Sequence, residues 1–297
     1  FKQKTAYEIM PSLVGSEMCI RDSVYPVHVE RAGSLENIAA GKAELVEALP
    51  EAPDGISILN ADEPIVMAMR DKASSRIFTY GLNSSADLWA SDVHSMGLNG
   101  IRFRVHYDGD TLHVRVPLLG RHSVHTALRA ASIGLVEGLT WQEILEGLQA
   151  QDGQAQLRLY AVPGPQGSML LDDSYNASPE STIAALNLLD DLDAEKRVAV
   201  LGDMLELGPF EHQGHISVGT RARHVVDLLV TVGELGSLIA EGALNAGMSK
   251  SEIVQCRDSK HALNYLSNNI GMGDVVLIKG SRGLGLDSLV NNLEILA

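Results

Sequence analysis

The chain has 297 residues, with 38 acidic against 23 basic side chains, a net charge of −15 and an aromatic content of 4%. That length accommodates two domains with real cores, and the acidic balance argues against a general nucleic-acid binder, which needs a basic footprint. No apolar run reaches the roughly 18 residues of a membrane span, and the first residues hold no apolar stretch of signal-peptide type. The two cysteines, Cys19 and Cys256, cannot build a secreted disulfide framework, which favours a reducing cytoplasm.

Residues 1–23 (FKQKTAYEIMPSLVGSEMCIRDS) show neither helical nor strand periodicity and lead into no recognisable element. They resemble translated sequencing-adapter read-through at the end of an assembled gene fragment. A non-native or disordered leader is expected there, with the native protein beginning further upstream. After His28 the pattern becomes helical: Leu35, Ile38, Ala39, Lys42, Leu45, Val46 and Leu49 recur at intervals of three and four. Gly55–Pro64 reads as a strand ending at Asn60 and Asp62, and Arg76–Tyr80 as a second strand stopped by Gly81. Between Asp87 and Val116, strands joined by the turns Gly97–Gly100 and Asp108–Asp110 predict an antiparallel ribbon on the edge of a mainly parallel sheet. Gly120, Arg121 and His122 then open a helix over about 122–136. They read equally as an anion or nucleotide contact at a helix N-terminus and as an ordinary loop-to-helix entry. A helix over Trp141–Ala150 follows, and Gln151–Gln156 reads as a linker.

From Leu157 onward the pattern alternates. Strands are expected at about 168–173, 197–201, 227–232, 252–256 and 274–279. Helices are expected near 179–190, 210–224, 235–246, 259–269 and 285–295. Such a βαβ series predicts a parallel, doubly wound sheet. Its strand ends carry Asp172 and Asp173, Gly202 and Asp203, Gly233 and Glu234, and Lys279 to Arg282. Parallel strands bring these ends to one edge, where ligands bind in open α/β sheets. Ser178 and Pro179 mark the start of the helix that follows the Asp172–Ser178 loop.

Several segments, in order, resemble the Mur ligase family: PVHVERAGSLENIAAGKAEL (26–45), ILNADEP (58–64), PLLGRH (117–122), LLDDSYNASPES (170–181), VLGDMLELG (200–208) with His215, and LIKGSRGLGLDSL (277–289). The resemblance covers essentially everything after Ser23. It implies a partial central ATPase domain over 24–154, a mainly parallel sheet with an antiparallel ribbon, and a Rossmann-like, doubly wound C-terminal domain over 155–297. It also implies an ATP- and Mg2+-dependent ligase joining D-alanyl-D-alanine to a UDP-N-acetylmuramoyl-tripeptide in the cytoplasm, acting as a monomer without nucleic-acid or membrane partners. Such a reaction activates a carboxylate as its acyl phosphate, which an amine then attacks; the transferred phosphoryl charge needs metal ions and basic groups.

Residue by residue, the resemblance makes His28 a magnesium ligand and Lys42 a carbamylated lysine offering oxygen to the same ion. Asn60, Arg121 and His122 fall near the nucleotide, and Asp173, Tyr175 and Asn176 form a loop closing over ATP. Asp203, Glu206, Lys279, Ser281 and Arg282 are expected to contact substrate or nucleotide. The sequence departs from the family at Ser123 and Thr126, where asparagines are usual, and at Ala155-Gln156 in place of a Gly-Arg pair. It holds no G-x-x-x-x-G-K-[ST] phosphate loop: Ala43 follows Gly41-Lys42, and Glu36 occupies the first glycine position. That loop and a UDP-binding domain are expected upstream, so this polypeptide alone is not expected to turn over ATP. Folylpolyglutamate synthase or another Mur ligase shares the chemistry and is the nearest alternative. A nucleotide-binding module without catalysis is the alternative of another class. A nicotinamide-dependent oxidoreductase fits worst. Gly280-Ser-Arg-Gly-Leu-Gly285 is not G-x-G-x-x-G, and the chain stops at Ala297, short of the acidic residue expected about 20 positions on.

Overall fold

A computed structural model describes residues 18–26, 29–150 and 159–297. The chain divides into two compact units. Unit 1 comprises Phe1–His94, Ile101–Val116 and His122–Ala150; unit 2 comprises Ser95–Gly100, Pro117–Arg121 and Gln151–Ala297.

Unit 1 is built on a sheet with strand order β1-β2-β3-β4-β5-β6. The strands are Met18–Arg21, Ile56–Asn60, Arg76–Gly81, Leu88–Ser95, Ile101–Tyr107 and Asp110–Val116. β1 to β4 pair in parallel, and β5 with β6 forms the expected antiparallel ribbon. The sequence pattern placed no element before Val24, yet Met18–Arg21 pairs residue by residue with β2, from Met18 opposite Ile56 to Arg21 opposite Leu59. A four-residue strand whose every member is half-buried shows neither alternation nor an apolar run, so periodicity has nothing to detect.

The helices of unit 1 are α1 (Val29–Ala32), α2 (Leu35–Glu47), α3 (Pro64–Met67), α4 (Val124–Val136) and α5 (Trp141–Gln149). Ser34 caps α2 by accepting the amide of Asn37, and Thr140 with Glu143 closes a reciprocal capping box on α5. The apolar stripe of α2 buries Ala43 and Val46 in one cluster with Leu59 and Val66.

Unit 2 carries a second sheet, in the order β11-β10-β9-β12-β8-β7. Its strands are Tyr160–Pro163, Met169–Asp173, Lys196–Gly202, Leu228–Val232, Ile253–Cys256 and Asp274–Lys279. All pair in parallel except β7, an antiparallel edge on β8. Between them run α6 (Pro179–Asp190), α7 (Glu211–Arg223), α8 (Gly236–Asn245) and α9 (Ser259–Leu266), with α10 (Leu286–Ile295) last. Alternate residues of each strand feed opposite cores. Leu171, Ala199, Leu201 and Leu277 pack with Leu186, Val218 and Ile239 of α6, α7 and α8. Leu170, Val198, Val200 and Ile278 pack with Leu266 of α9 and Leu289 and Val290 of α10. The sheet is therefore doubly wound. The chain advances from β8 through β9 and β10 to β11, then returns to place β12 between β8 and β9. That reversal is the topological switch, and the crevice outside the strand ends opens there.

On one face of the sheet α7 and α8 touch backbone to backbone. A Cβ on Gly219 would fall 1.9 Å from the carbonyl oxygen of Ile239, and one on Gly242 would fall 2.3 Å from that of Ile216. Only glycine permits this approach.

Candidate functional site

The three strands at the switch of unit 2 end in polar groups. Lys279 closes β12 and Asp173 closes β8, and the two are register partners. Lys279 Nζ lies 2.6 Å from Asp173 Oδ2 and donates to the carbonyl oxygen of Asn176 at 2.9 Å. Lys279 is only 2% exposed. Its ammonium thus points into the loop after β8 and serves to hold it. Asp172 also works inward: its Oδ1 accepts the Ser174 amide at 2.9 Å. Its carboxylate also takes the Tyr160 hydroxyl, a bond that helps push that phenol up to about 12. Asn176 Oδ1 accepts the Ala177 amide at 2.9 Å. Ser178 caps α6 with Pro179 at the first helical position, so the helix begins where the sequence marks it.

With the loop anchored from below, Tyr175 stands out from it, 40% exposed. The Arg282 guanidinium lies 5.5 Å from the Tyr175 ring centroid. This cation over a flat apolar face is the part of the crevice open to a ligand.

The end of β9 is organised differently. Asp203 Oδ1 accepts the Gly236 amide at 2.8 Å and Oδ2 that of Glu234 at 3.2 Å, at the start of α8. Burial pushes the Asp203 carboxyl up, and these amides oppose that shift. Ser281 closes the neighbouring turn: its amide donates to the Asp203 carbonyl at 2.9 Å and its Oγ accepts the Leu205 amide at 2.9 Å. Fully buried His215 of α7 accepts the Met204 amide on Nε2 at 2.9 Å, while its Nδ1 bonds the Glu211 carbonyl at 2.7 Å. The Nδ1–H tautomer satisfies both bonds, and burial pulls the imidazole below its ordinary value. Glu206 completes this turn with φ +65, a left-handed conformation costly for a non-glycine residue. Arg121, in a segment belonging to unit 2, forks onto both carboxylate oxygens of Asp191.

In unit 1 the ends of β1, β2 and β3 meet around Asp22. Its Oδ1 accepts the Tyr80 hydroxyl at 2.7 Å, its Oδ2 pairs with Arg129 Nη1 at 2.8 Å, and its carbonyl accepts Asn60 Nδ2 at 2.9 Å. Beside this cluster Asp62 pairs with His125 at 2.9 Å. Lys42 Nζ donates to the Ser23 carbonyl at 2.5 Å. Burial, then the nearby Arg21 charge, hold the Lys42 amine below the usual lysine value. His122 is exposed, and His28 lies outside the described residues, as do Gln151 to Gln156. Sequence reasoning missed Asp22, Tyr80, Arg129 and His125. The rule that parallel strand ends converge would have found Tyr80, but Asp22 lay in a stretch credited with no strand.

Among the described residues no group of three or more His, Cys, Asp or Glu side chains could hold a metal ion. Lys42 as an ammonium is a hydrogen-bond donor and offers no ligand; as a carbamate it would offer oxygen.

Two family models match: the Mur ligase middle domain over residues 16–134 and the Mur ligase glutamate ligase domain over residues 157–282. The chain belongs to the Mur ligase family. It is 32% identical to the UDP-N-acetylmuramoyl-tripeptide–D-alanyl-D-alanine ligase of Bacillus subtilis, over 98% of this chain and 62% of that protein. To the Escherichia coli protein of the same name it is 30% identical, over 95% of this chain and 61% of that protein. The chain thus spans about three fifths of the length of these relatives. Among solved structures, MurF from Acinetobacter baumannii superposes with a TM-score of 0.79 at 25% identity, covering 94% of this chain and 60% of that one. A MurF ligase from Thermotoga maritima, solved in complex with ADP, shares the fold with a TM-score of 0.77 at 21% identity, over 97% and 64% of the two chains.

Proposed function

We propose that the protein carrying these two domains is an ATP-dependent ligase that joins D-alanyl-D-alanine to a UDP-N-acetylmuramoyl-tripeptide in peptidoglycan synthesis. The observation that carries this reading is the Arg282–Tyr175 pair standing open at the switch point, on a loop fixed by Lys279 and Asp173. A flat apolar ring beside a guanidinium suits a nucleotide, whose base stacks and whose phosphates pair with a cation. The family, and the name that the relatives share, support this choice of reaction and of both substrates.

The tripeptide carboxylate attacks the γ-phosphoryl group of ATP, releasing ADP and leaving an acyl phosphate. The D-alanyl-D-alanine amine attacks that carbonyl, loses a proton and expels phosphate. Arg282 and Tyr175 hold nucleotide in the crevice. Lys279, Asp173 and Asn176 position their loop from within, and Ser281, Asp203 and His215 fix the adjoining turn. For unit 1 taken by itself, Asn60 and His122 are the candidate nucleotide contacts of this reading. The uncharged amine is the form that adds carbon dioxide, and burial of Lys42 shifts its titration in that direction. Carbamylated Lys42 and His28 would then hold Mg2+, which supplies positive charge for the transferred phosphoryl group. This reading places the reaction in the cytoplasm, where ATP is held, on single protein molecules. No helix among the described residues is long and apolar enough to cross a membrane.

The test is to supply the protein carrying this chain with ATP, the UDP-linked tripeptide and D-alanyl-D-alanine, and to follow phosphate release together with the product mass. Product containing both substrates is expected, with phosphate release dependent on each. Ligation of glutamate to a folate instead would overturn the assignment.

A further inference from the structure

The exposed face of the β4–β5–β6 ribbon in unit 1 uses none of the residues above. Along β5, Ile101, Phe103 and Val105 are buried, so Arg102 and Arg104 take the opposite face; along β6, Val114 and Val116 are buried, so His113 and Arg115 do the same. Register sets Arg102 directly opposite Arg115, and Arg104 opposite His113. Like charges opposed across a strand pair repel. With His94 and Asp92 of β4 and Gln149 at the end of α5, these side chains line a concavity of about 530 Å³. Its lining includes one carboxylate, Asp92, which pairs with Arg104 at 3.2 Å. Among the described residues no ion pair answers Arg102 or Arg115.

We propose that this concavity is a binding site for a compact polyphosphate anion, a diphosphate-sized group held between Arg102 and Arg115. The chain as a whole carries a charge of −15, so a pocket lined by three arginines and two histidines runs against its average composition. Directly opposed residues hold their Cβ atoms about 5 Å apart, which lets two guanidinium forks converge on linked phosphoryl groups. Each fork matches phosphate oxygens in bidentate fashion. The volume lies within the roughly 300–1,000 Å³ of small-molecule sites. A bound dianion also removes the repulsion that the empty register imposes. Arg104, tied to Asp92, forms the wall, and His113 and His94 supply further donors.

The test is calorimetric titration of the 297-residue chain with inorganic diphosphate at fixed ionic strength. Saturable binding is expected, weakened about tenfold or more in the double variant Arg102→Ala/Arg115→Ala, because two charge-assisted forks are lost. Lys260→Ala, on the other unit, is expected to bind as the parent does. In the absence of anion the double variant is expected to melt no lower than the parent, since a repulsive pair is removed. Should the alanine variant unfold early, Arg102→Gln/Arg115→Gln removes the charges at nearly constant volume and gives the same readout. Undiminished diphosphate binding by these variants, or no saturable binding by the parent, overturns the proposal. So does a chain that ignores diphosphate yet sediments with phosphatidylglycerol vesicles, which would assign the patch to a lipid surface.

Discussion

Lys279 and Asp173 face each other across adjacent parallel strands, 2.6 Å apart, with Lys279 almost wholly buried. Such a pair is costly to break from one side, because a charge is left in a dry site. Lys279→Met is expected to destabilise unit 2 by about 3 kcal/mol, and Asp173→Asn added to it to restore part of that loss. Urea denaturation followed by near-ultraviolet circular dichroism measures both. A single variant as stable as the parent would show that the pair does not anchor the loop.

His215 makes the stability of unit 2 depend on pH. Its folded imidazole titrates lower than the ordinary value of 6.5 because it is buried. Below about pH 6.5 the unfolded chain therefore takes up a proton that the folded chain refuses. The contribution is complete above that pH and is lost as pH falls through the folded value, at no more than about 1.4 kcal/mol per pH unit. His215→Gln keeps an acceptor for the Met204 amide and cannot titrate. Between pH 7.5 and 5.5 its stability is expected to fall less steeply than that of the parent.

Gly233 lies against Asp203. It has φ +101, and a Cβ there would fall 2.3 Å from an Asp203 carboxylate oxygen. Gly233→Ala should therefore evict the carboxylate from the amides of Glu234 and Gly236. The expected cost exceeds about 2 kcal/mol, combining backbone strain with lost charge-assisted bonds. A melting curve indistinguishable from that of the parent would refute this account.

The proposed nucleotide crevice predicts that Arg282→Ala weakens ADP binding about fivefold or more, the loss of one partly exposed cation over a ring and its phosphate contact. Tyr175→Phe keeps the ring and is expected to bind nearly as the parent does, whereas Tyr175→Ala should not. Fluorescence titration with a labelled ADP measures all three. Equal losses for the phenylalanine and alanine variants would shift the role from the ring to the hydroxyl.

The α/β alternation of unit 2 was legible because parallel strands buried on both faces read as apolar runs between capped helices. Ser178-Pro179 even fixed the first turn of α6. The antiparallel edge β7 was not legible, since three of its four residues are exposed, the fourth is half-buried, and its pairing with β8 leaves no periodic mark. The candidate site was half legible. Strand ends announce which residues gather, but spacing does not say which way each side chain turns. Lys279 and Asp203 look like ligand contacts in sequence, yet one turns into the protein to hold a loop and the other to cap a helix. In unit 1, Asp22 gathers Tyr80, Asn60 and Arg129 through pairings that span tens of residues and leave no local signature.

The glycine contact between α7 and α8 bears on how the crevice of unit 2 can respond to a ligand. Where Gly219 meets Ile239 and Gly242 meets Ile216, peptide groups interlock with no side chain to act as a bearing. The two helices can therefore neither slide nor roll past each other, and they behave mechanically as one bar. That bar grips the crevice at two points, through His215 on Met204 and through the first turn of α8 on Asp203. The 203–207 turn is accordingly a fixed jaw. With the Tyr175 loop anchored as well, any tightening around a ligand has to come from the exposed side chains of Tyr175 and Arg282.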